Sequence, residues 1–401
     1  MRPVLILALL ITTLFTSPSA SLAAPPYPSA EQLRAAYQEA QGDPTIPERA
    51  KVENAIQTYF QVRYESLRLG QAVDLDFLAG ESAEAQDWLG GARERQAVEL
   101  ALAEAFQLGY QDYHFWLDYE SVEIQGTLAQ ARLYESHAVV FQALAPQESR
   151  LGRLAHTLRL QRQPEGWKLV GDAYVDELAF VLAGVPAERL LGRIQARRQV
   201  NDPALARPGG PAPRQPPGLR LARYDRAAAA AYAEAWGNWN TDPETWRNPA
   251  YHDEPGYDCA NFVSQAVYAG AGQVITPPGD YARGWYYDSF SHSGSLPWVR
   301  VDAFAAFLRF RRGPGPVGQA VRSACALQPG DVVQLYGLSG WFHEVIVVAR
   351  QPGGECASGG SLLVNAHTTD LQHYPLSYFS FTALRYLHIQ GAVKSPPAPL
   401  D

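Results

Sequence analysis

The sequence of 401 residues predicts an α+β protein with two successive domains. In the first half, apolar residues recur at helical spacing and then alternate at the spacing of β-strands, which is typical of helices followed by an antiparallel sheet. The second half shows its own helices followed by strands, and a proline-rich segment separates the two patterns. The length also exceeds that of an ordinary single domain.

Composition excludes two broad classes of protein. There are 41 acidic against 33 basic residues, a formal net charge of −8 and a pI of about 5.6. Without a basic excess to neutralise phosphates, nucleic acid is not expected as a partner. Since 47% of the residues are hydrophobic and only 18% are charged, a chain that is disordered throughout is not expected either.

The N-terminus predicts a signal peptide over residues 1–23. Arg2 is followed by an apolar run from Val4 to Phe15, and Ser21 and Ala23 fit a small-x-small cleavage pattern. The alternative is a transmembrane anchor, for which this run is too short. No later segment approaches 18 uninterrupted apolar residues, so we expect a secreted or cell-envelope protein without a membrane span after cleavage.

Residues 45–195 form the first predicted domain. Two helices are expected, one ending before Gly70 and one from about Arg93 to Leu108. Strands are then expected around Val122–Gln125, Leu133–Phe141, Leu154–Leu160 and Trp167–Val170. This order of helices before a curved antiparallel sheet resembles the cone-shaped, cystatin-like domains of the nuclear transport factor 2 type. We expect its histidines, His114, His137 and His156, to be structural or surface residues because they lack ligand spacing.

The boundary between the domains is predicted at residues 200–220. Six prolines and two glycines lie between Pro203 and Pro217, where regular backbone hydrogen bonding is not possible. We expect a semi-stiff linker there.

The second predicted domain, residues 222–392, contains a candidate nucleophile. Asp225 is suited to cap a helix that begins with an alanine run. Cys259 precedes apolar residues on one helical face, so it is expected in the first turn of a buried helix. The positive end of a helix dipole lowers the pKa of a thiol, and the backbone N–H of Cys259 could help to hold an oxyanion.

A candidate base lies further along the chain. His343 begins a strongly β-forming run that follows a first strand at Asp331–Tyr336. Asn365 and His367 lie at the end of a third strand, and either could orient the imidazole of His343.

These residues occur in motifs that resemble those of the putative amidase domain family, within the papain-like superfamily. The motifs are Tyr224-Asp225-Arg226, the octad DCANFVSQ from Asp258 to Gln265, Gly330-Asp331, His343 with its apolar run, and His367-Thr368 with Asp370. The resemblance covers roughly residues 222–390. It implies hydrolysis of an amide bond through Cys259 and His343 without a cofactor or metal, and by analogy a peptidoglycan or other peptide or amide substrate.

Three further residues are candidates for substrate binding: Asp258, Trp285 and Trp341. Asp258 could instead cap the helix of Cys259, and an aromatic cluster could instead be core. Metal catalysis is the main rival enzyme class, but no HExxH or paired Cys-x-x-Cys spacing occurs. A serine hydrolase is disfavoured because the sequence has no G-x-S-x-G motif. The non-enzyme alternative is an inactive envelope-binding module with a papain-like groove.

Three cysteines, Cys259, Cys325 and Cys356, leave one thiol unpaired if the chain is exported to an oxidising compartment. Cys325 and Cys356 are expected at neighbouring ends of two antiparallel strands. We therefore expect a disulfide between them, with Cys259 free.

Overall fold

The computed structural model describes residues 27–199, 220–237, 247–253, 258–310, 313–351 and 359–394. Residues 27–199 are called the N-terminal segment and residues 220–394 the C-terminal segment. The predicted signal peptide at 1–23 and the proline-rich stretch at 203–217 lie outside the described residues, so export and the linker stay predictions.

In the N-terminal segment three helices come before four strands, and two helices close it. The helices are α1 (Ala30–Gly42), α2 (Glu48–Leu69), α3 (Ala83–Phe106), α4 (Glu177–Leu182) and α5 (Ala187–Gln199), and the strands are β1 (Tyr110–Gln125), β2 (Leu128–Phe141), β3 (Glu148–Gln163) and β4 (Gly166–Ala173). Local chemistry explains several helix ends. Ser29 and Gln32 form a reciprocal capping box at α1, and Gly70 ends α2 with a left-handed φ of 66°.

The C-terminal segment begins with a short strand and then alternates helices and strands. Its helices are α6 (Arg226–Trp236), α7 (Cys259–Gly270), α8 (Leu296–Val299) and α9 (Val301–Phe310), and its strands are β5 (Arg220–Arg223), β6 (Tyr287–Asp288), β7 (Ser293–Gly294), β8 (Gly315–Val321), β9 (Val332–Gly337), β10 (Gly340–Arg350), β11 (Leu362–Ala366), β12 (Asp370–Pro375) and β13 (Ala383–Lys394). The carboxylate of Asp225 accepts from the Ala228 N–H at 3.0 Å, which confirms the predicted cap of α6.

One antiparallel sheet of eleven strands crosses both segments. Its main order is β1-β2-β3-β12-β11-β10-β9-β13-β5, with β4 beside β3 and β8 beside β13. The crossing point is the pair β3–β12, in which Gly152, Leu151 and Arg150 lie opposite Asp370, Leu371 and Gln372. The sheet is therefore continuous across the boundary that the sequence predicts between two domains, and that division stays a prediction.

Side chains reinforce the β3–β12 pairing. The Ser149 hydroxyl donates to the His373 carbonyl at 2.6 Å, and the buried His137 on β2 hydrogen-bonds Tyr374 on β12. The rings of Phe141 and Tyr374 pack edge to face with centroids 5.6 Å apart. The two segments thus share polar and apolar contacts at this strand pair.

The predicted α+β class is confirmed, and most of the predicted elements are present with different lengths. Helix α3 begins ten residues before the predicted Arg93, because Ser82 caps it through a hydrogen bond to the Ala85 N–H. The sequence did not predict the helices α1, α4, α5, α8 and α9 or the strands β5, β6, β7, β8, β12 and β13. His137 and His156 are buried and hydrogen-bonded, as expected for structural histidines, while His114 is exposed.

Within the described ranges, no helix combines the length and the apolar character that a membrane crossing requires.

We expect Leu151→Ala to loosen both segments together. Leu151 is buried in β3 opposite Leu371, so its truncation should lower the free energy of unfolding by about 2–4 kcal/mol. Because the strand pair joins the segments, hydrogen exchange should also become faster at the amides of β11 and β12. The control is Leu128→Ala at the exposed end of β2, which should change the stability by less than about 0.5 kcal/mol. Faster exchange confined to the N-terminal strands would show that the segments open independently.

Candidate active site

Cys259 is the first residue of α7, as the sequence predicts. The residues from Cys259 to Val267 are all buried, since α7 packs against α6, β10 and α9. The sulfur receives hydrogen bonds from the backbone N–H groups of Ala260 and Glu344. The thiol therefore lies directly against β10, the strand that carries His343.

His343 lies beside an irregularity in the hairpin of β9 and β10. Trp341 pairs with Tyr336 and His343 pairs with Leu335, so Phe342 is an extra residue on β10. Such a β-bulge redirects side chains locally and is common beside active sites. Here it accompanies the burial of both His343 and its neighbour Glu344.

The nearest charged partner of His343 comes from the other segment. Oε1 of Glu177, the first residue of α4, lies 3.2 Å from Nε2 of His343, with both side chains at least 95% buried. The contact lacks the alignment of a hydrogen bond, and Nε2 has no other partner within the described part of the chain.

Cys259 and His343 line one cleft of about 540 Å³, a size typical of ligand sites. Both segments contribute to its walls. The N-terminal segment supplies Val175, Asp176, Glu177 and Phe180, and the C-terminal segment supplies, besides the cysteine and the histidine, Val299, Arg300, Val301, Asp302, Ser339, Trp341, Phe342, Thr368 and Thr369.

Burial keeps the thiol and the imidazole neutral in this state. Burial, followed by the nearby Glu344, raises the pKa of the Cys259 thiol to about 12. Burial also lowers the pKa of His343 to about 3. The expectation that the helix dipole gives a low pKa at Cys259 is therefore wrong for this state, because the loss of hydration outweighs the dipole.

The backbone N–H of Cys259, expected in an oxyanion hole, is occupied. It donates to the Thr368 hydroxyl at 3.2 Å. Thr368 lies in the turn between β11 and β12 with a φ of 85°, a region that β-branched residues rarely adopt. A substrate oxygen would have to replace this hydroxyl before the N–H could stabilise it.

Asn365 does not orient His343. Its amide nitrogen donates to the Ala233 carbonyl of α6 at 3.1 Å, and its amide oxygen accepts from the His373 N–H at 2.9 Å. The side chain thus links α6 to the strands β11 and β12 through hydrogen bonds, which is a structural role.

His367 does not orient His343 either. It lies beyond the end of β11, where Nδ1 is 2.6 Å from the Asp258 carboxylate and Nε2 is 2.8 Å from the Trp236 carbonyl. Its ring stacks on Phe262 with centroids 3.7 Å apart. One nitrogen therefore binds the start of α7 and the other binds the end of α6.

Asp258 is the N-cap residue of α7, but its side chain does not cap the helix. The carboxylate accepts from Asn261 at 2.7 Å and lies 3.6 Å from Nε of Arg247, besides its contact with His367. Burial opposes its ionisation, yet the bond to His367 and these other partners lower the pKa of Asp258 below its usual range. A carboxylate so enclosed braces the helix and is not among the residues that line the cleft, and its role in substrate binding stays a prediction.

The two predicted tryptophans have different environments. Trp285 has no exposed surface and donates from Nε1 to the Ser264 hydroxyl at 3.1 Å, so it lies in the core and not on the wall of the cleft. Its contact with substrate stays a prediction. Trp341 lines the cleft and packs against the small cluster that contains Cys259, with the Arg385 guanidinium 3.7 Å above its ring. Trp341 remains a candidate for substrate contact.

Two buried carboxyls at the site were missed from the sequence. Burial raises the pKa of Glu344 to about 8, and burial followed by the charge of Asp176 raises the pKa of Glu177 to about 8. Glu344 follows His343 directly and accepts from Gln334 at 2.7 Å. Glu344 begins an apolar run, which could have indicated burial, whereas Glu177 looks like an ordinary acidic residue at a helix start.

No group of three metal-ligating side chains lies together among the residues that the structure covers. Cys259 is a free thiol. Cys356 lies outside the described residues, so its pairing with Cys325 stays a prediction.

Asn365→Ala should act on stability rather than on chemistry. Removing the amide leaves the Ala233 carbonyl and the His373 N–H without this partner, which should lower the free energy of unfolding by about 2–4 kcal/mol. Hydrolysis per folded molecule should fall by far less than the roughly 10²–10⁴-fold loss expected for a group in proton transfer. Urea unfolding and activity would be measured beside the exposed control Gln57→Ala. An unchanged stability with lost activity would return Asn365 to a catalytic role.

Comparisons with solved structures give matches that each cover about a third of this chain. One is a putative dehydratase of the NTF2-like family from Streptomyces avermitilis, with 18% identity and a TM-score of 0.21, covering 31% of this chain and 91% of that chain. Another is the intermembrane space region of the chloroplast protein ARC6, with 16% identity and a TM-score of 0.23, covering 33% of this chain and 98% of that chain. A third is the Kfla4162 protein from Kribbella flavida, with 14% identity and a TM-score of 0.21, covering 33% of this chain and 95% of that chain. Among curated proteins, none matches the chain.

A match to a family model lies within the C-terminal segment. The matched stretch contains Cys259, His343, Asn365 and His367, and it excludes Glu177. Residues 223–389 match the putative amidase domain family, which indicates an amide hydrolase.

Proposed function

We propose that the protein hydrolyses an amide bond through Cys259 as nucleophile and His343 as general base and acid. The observation that carries this proposal is that both side chains line one cleft, with the thiol at the first turn of α7 and the imidazole on the adjacent strand β10. Amide hydrolysis by a cysteine requires a thiol and an imidazole in one cleft that substrate can enter.

The reaction would proceed in two balanced stages. The Cys259 sulfur attacks the carbonyl carbon while its proton passes to His343, and His343 then gives that proton to the amine as the C–N bond breaks. A water molecule next attacks the thioester and loses a proton to His343, and cleavage of the C–S bond releases a carboxylic acid. The proton on His343 returns to the sulfur, so the thiol is restored.

The neutral resting pair is compatible with this mechanism. A thiol with a raised pKa and an imidazole with a lowered pKa do not form a standing ion pair. Proton transfer would then accompany attack, when substrate displaces the Thr368 hydroxyl from the Cys259 N–H. The freed N–H would donate to the developing oxyanion.

The substrate class that we propose is a cell-wall peptide or a related amide. The floor of the cleft is apolar and aromatic at Val301, Trp341 and Phe342, while Arg300 and Asp302 lie exposed at its edge, 3.3 Å apart. Apolar walls suit aliphatic and amide groups, and charges of both signs at the edge suit the termini and carboxylates of a peptide.

We also propose that the chain is exported and that Cys325 pairs with Cys356. The basis is the apolar N-terminal run and the odd number of cysteines in the sequence. Cys259 is a free thiol, which is what this pairing requires.

Cys259→Ala should reduce hydrolysis of purified peptidoglycan fragments by roughly 10⁴-fold or more, because no other group supplies the nucleophile. His343→Asn should reduce it by roughly 10²–10⁴-fold. The matched control is His114→Asn, which removes an exposed histidine of β1 and should leave activity unchanged. Products would be identified by mass spectrometry, and circular dichroism would check folding.

Full activity in the Cys259→Ala protein would eliminate the thiol mechanism. If the wild-type chain binds these fragments without producing cleaved products, the inactive binding module would be the better description.

A further inference from the structure

We propose that Glu177, which belongs to the N-terminal segment, is the positioning residue of His343, so that the active site is completed only by both segments. This inference rests on the proposed function of Cys259 and His343. It concerns a residue outside the matched amidase region. Three observations support it: the position of the Glu177 carboxyl, the contacts that fix that position, and the hydrogen bonds that hold Asn365 and His367 to other groups.

The position of Glu177 fits this role. Its Oε1 atom lies 3.2 Å from Nε2 of His343, and that nitrogen is buried without a hydrogen-bond partner among the described residues. A buried polar atom without a partner is destabilising, and a small rotation would make the bond. Catalytic hydrogen bonds are often poorly aligned before substrate binds.

The start of α4 is held rigidly enough to position a carboxyl. Asp176 caps α4 by accepting from the Ala179 N–H at 2.7 Å, and it also binds Arg95 of α3 through both oxygens at 3.0 and 2.6 Å. The Thr369 hydroxyl donates to the Glu177 carboxyl. Residues on both sides thus fix Glu177.

Packing holds α4 against the hairpin that carries His343. The rings of Phe180 and Phe342 stack with centroids 4.5 Å apart. A side chain at Gly337 would approach Phe342 within 2.9 Å and Phe180 within 3.0 Å, so the glycine permits this contact. The bulged residue of β10 is therefore the one on which α4 packs.

The other candidates for the role are occupied elsewhere. Asn365 binds α6 and β12, and His367 binds Asp258 and Trp236. This leaves Glu177 as the polar side chain at Nε2 within the described residues.

The proposed mechanism requires the Glu177 carboxyl to be ionised. If Glu177 is protonated and donates to Nε2, the imidazole carries its proton on Nδ1, which then cannot accept the thiol proton. If Glu177 is ionised, it accepts from Nε2–H and leaves the Nδ1 lone pair free for Cys259. The ionised carboxylate would also stabilise the imidazolium that forms.

The tautomer should therefore change with pH. Burial and the charge of Asp176 raise the pKa of Glu177 to about 8, so the active tautomer should become populated as the pH rises through that value. The groups that face this pair are Asp176 with Arg95, the Thr369 hydroxyl, Tyr374 and Tyr378 on the Glu177 side, and Cys259 and Glu344 with Arg385 on the His343 side.

The first measurement does not depend on catalysis. Full-length Cys259→Ala protein with ¹⁵N-labelled histidine is titrated from pH 6 to 9.5 and followed by NMR. The same titration is repeated after adding Glu177→Gln, and separately after adding the control Glu188→Gln, which alters an exposed carboxyl of α5. The His343 signals are assigned by their loss in His343→Asn. The Nε2–H tautomer should increase near pH 8 with native Glu177 and with the control, and should be independent of pH with Glu177→Gln.

The second measurement uses chains that retain Cys259 and follows cleavage of peptidoglycan fragments. The kcat of the wild type and of Glu188→Gln should rise through about pH 8. In Glu177→Gln that rise should be absent, and kcat at pH 9 should be roughly 10- to 100-fold lower with KM little changed. Thr369→Val, which removes a bond that favours ionised Glu177, should move the rise to higher pH and serves if the Gln variant does not fold.

The same tautomer titration and the same pH profile in Glu177→Gln as in the wild type would overturn the inference. Full hydrolysis by Cys259→Ala would instead overturn the proposed function, and the titration would still decide whether Glu177 controls His343.

Discussion

The pairing of β3 with β12 is the constraint on which the candidate active site depends. Three residue pairs join the strands of the two segments, and this junction continues the sheet toward β11 and β10. Because α4 follows β4, which pairs with β3, the same junction brings α4 over the hairpin of His343. Without the strand pair, the cleft would lose the wall formed by residues 175–180.

The site combines strong burial with groups that could carry charge. Burial favours the neutral form of four side chains there: it raises the pKa of Cys259, Glu177 and Glu344 and lowers the pKa of His343. The side chains of such a site stay neutral until a bound substrate or a partner changes their protonation. The polar network of Asp258, Arg247 and His367 lies at the base of α7 instead, where it fixes the helix that presents the thiol.

Local patterns in the sequence were sufficient to predict the elements that carry the candidate nucleophile and the candidate base. The apolar face after Cys259 predicts a buried helix, and the β-forming run after His343 predicts a strand, and both elements are present. The contact of His343 with Glu177 could not be predicted this way, because Glu177 is 166 residues distant and reaches the site through tertiary contacts between the segments, among them the β3–β12 pairing. The hydrogen bond of Asn365 to α6 and the burial of Trp285 in the core could not be predicted either, because both depend on contacts between elements that are distant in the sequence.

The most direct test of the central claim is to trap the covalent intermediate. Wild-type protein and peptidoglycan fragments would be mixed, quenched with acid within one turnover, digested and mapped by mass spectrometry. The account predicts an acyl group on the peptide that contains Cys259, which disappears after treatment with hydroxylamine, as expected of a thioester. Cleaved product without any acylation of Cys259, formed equally well after the thiol has been blocked, would contradict it.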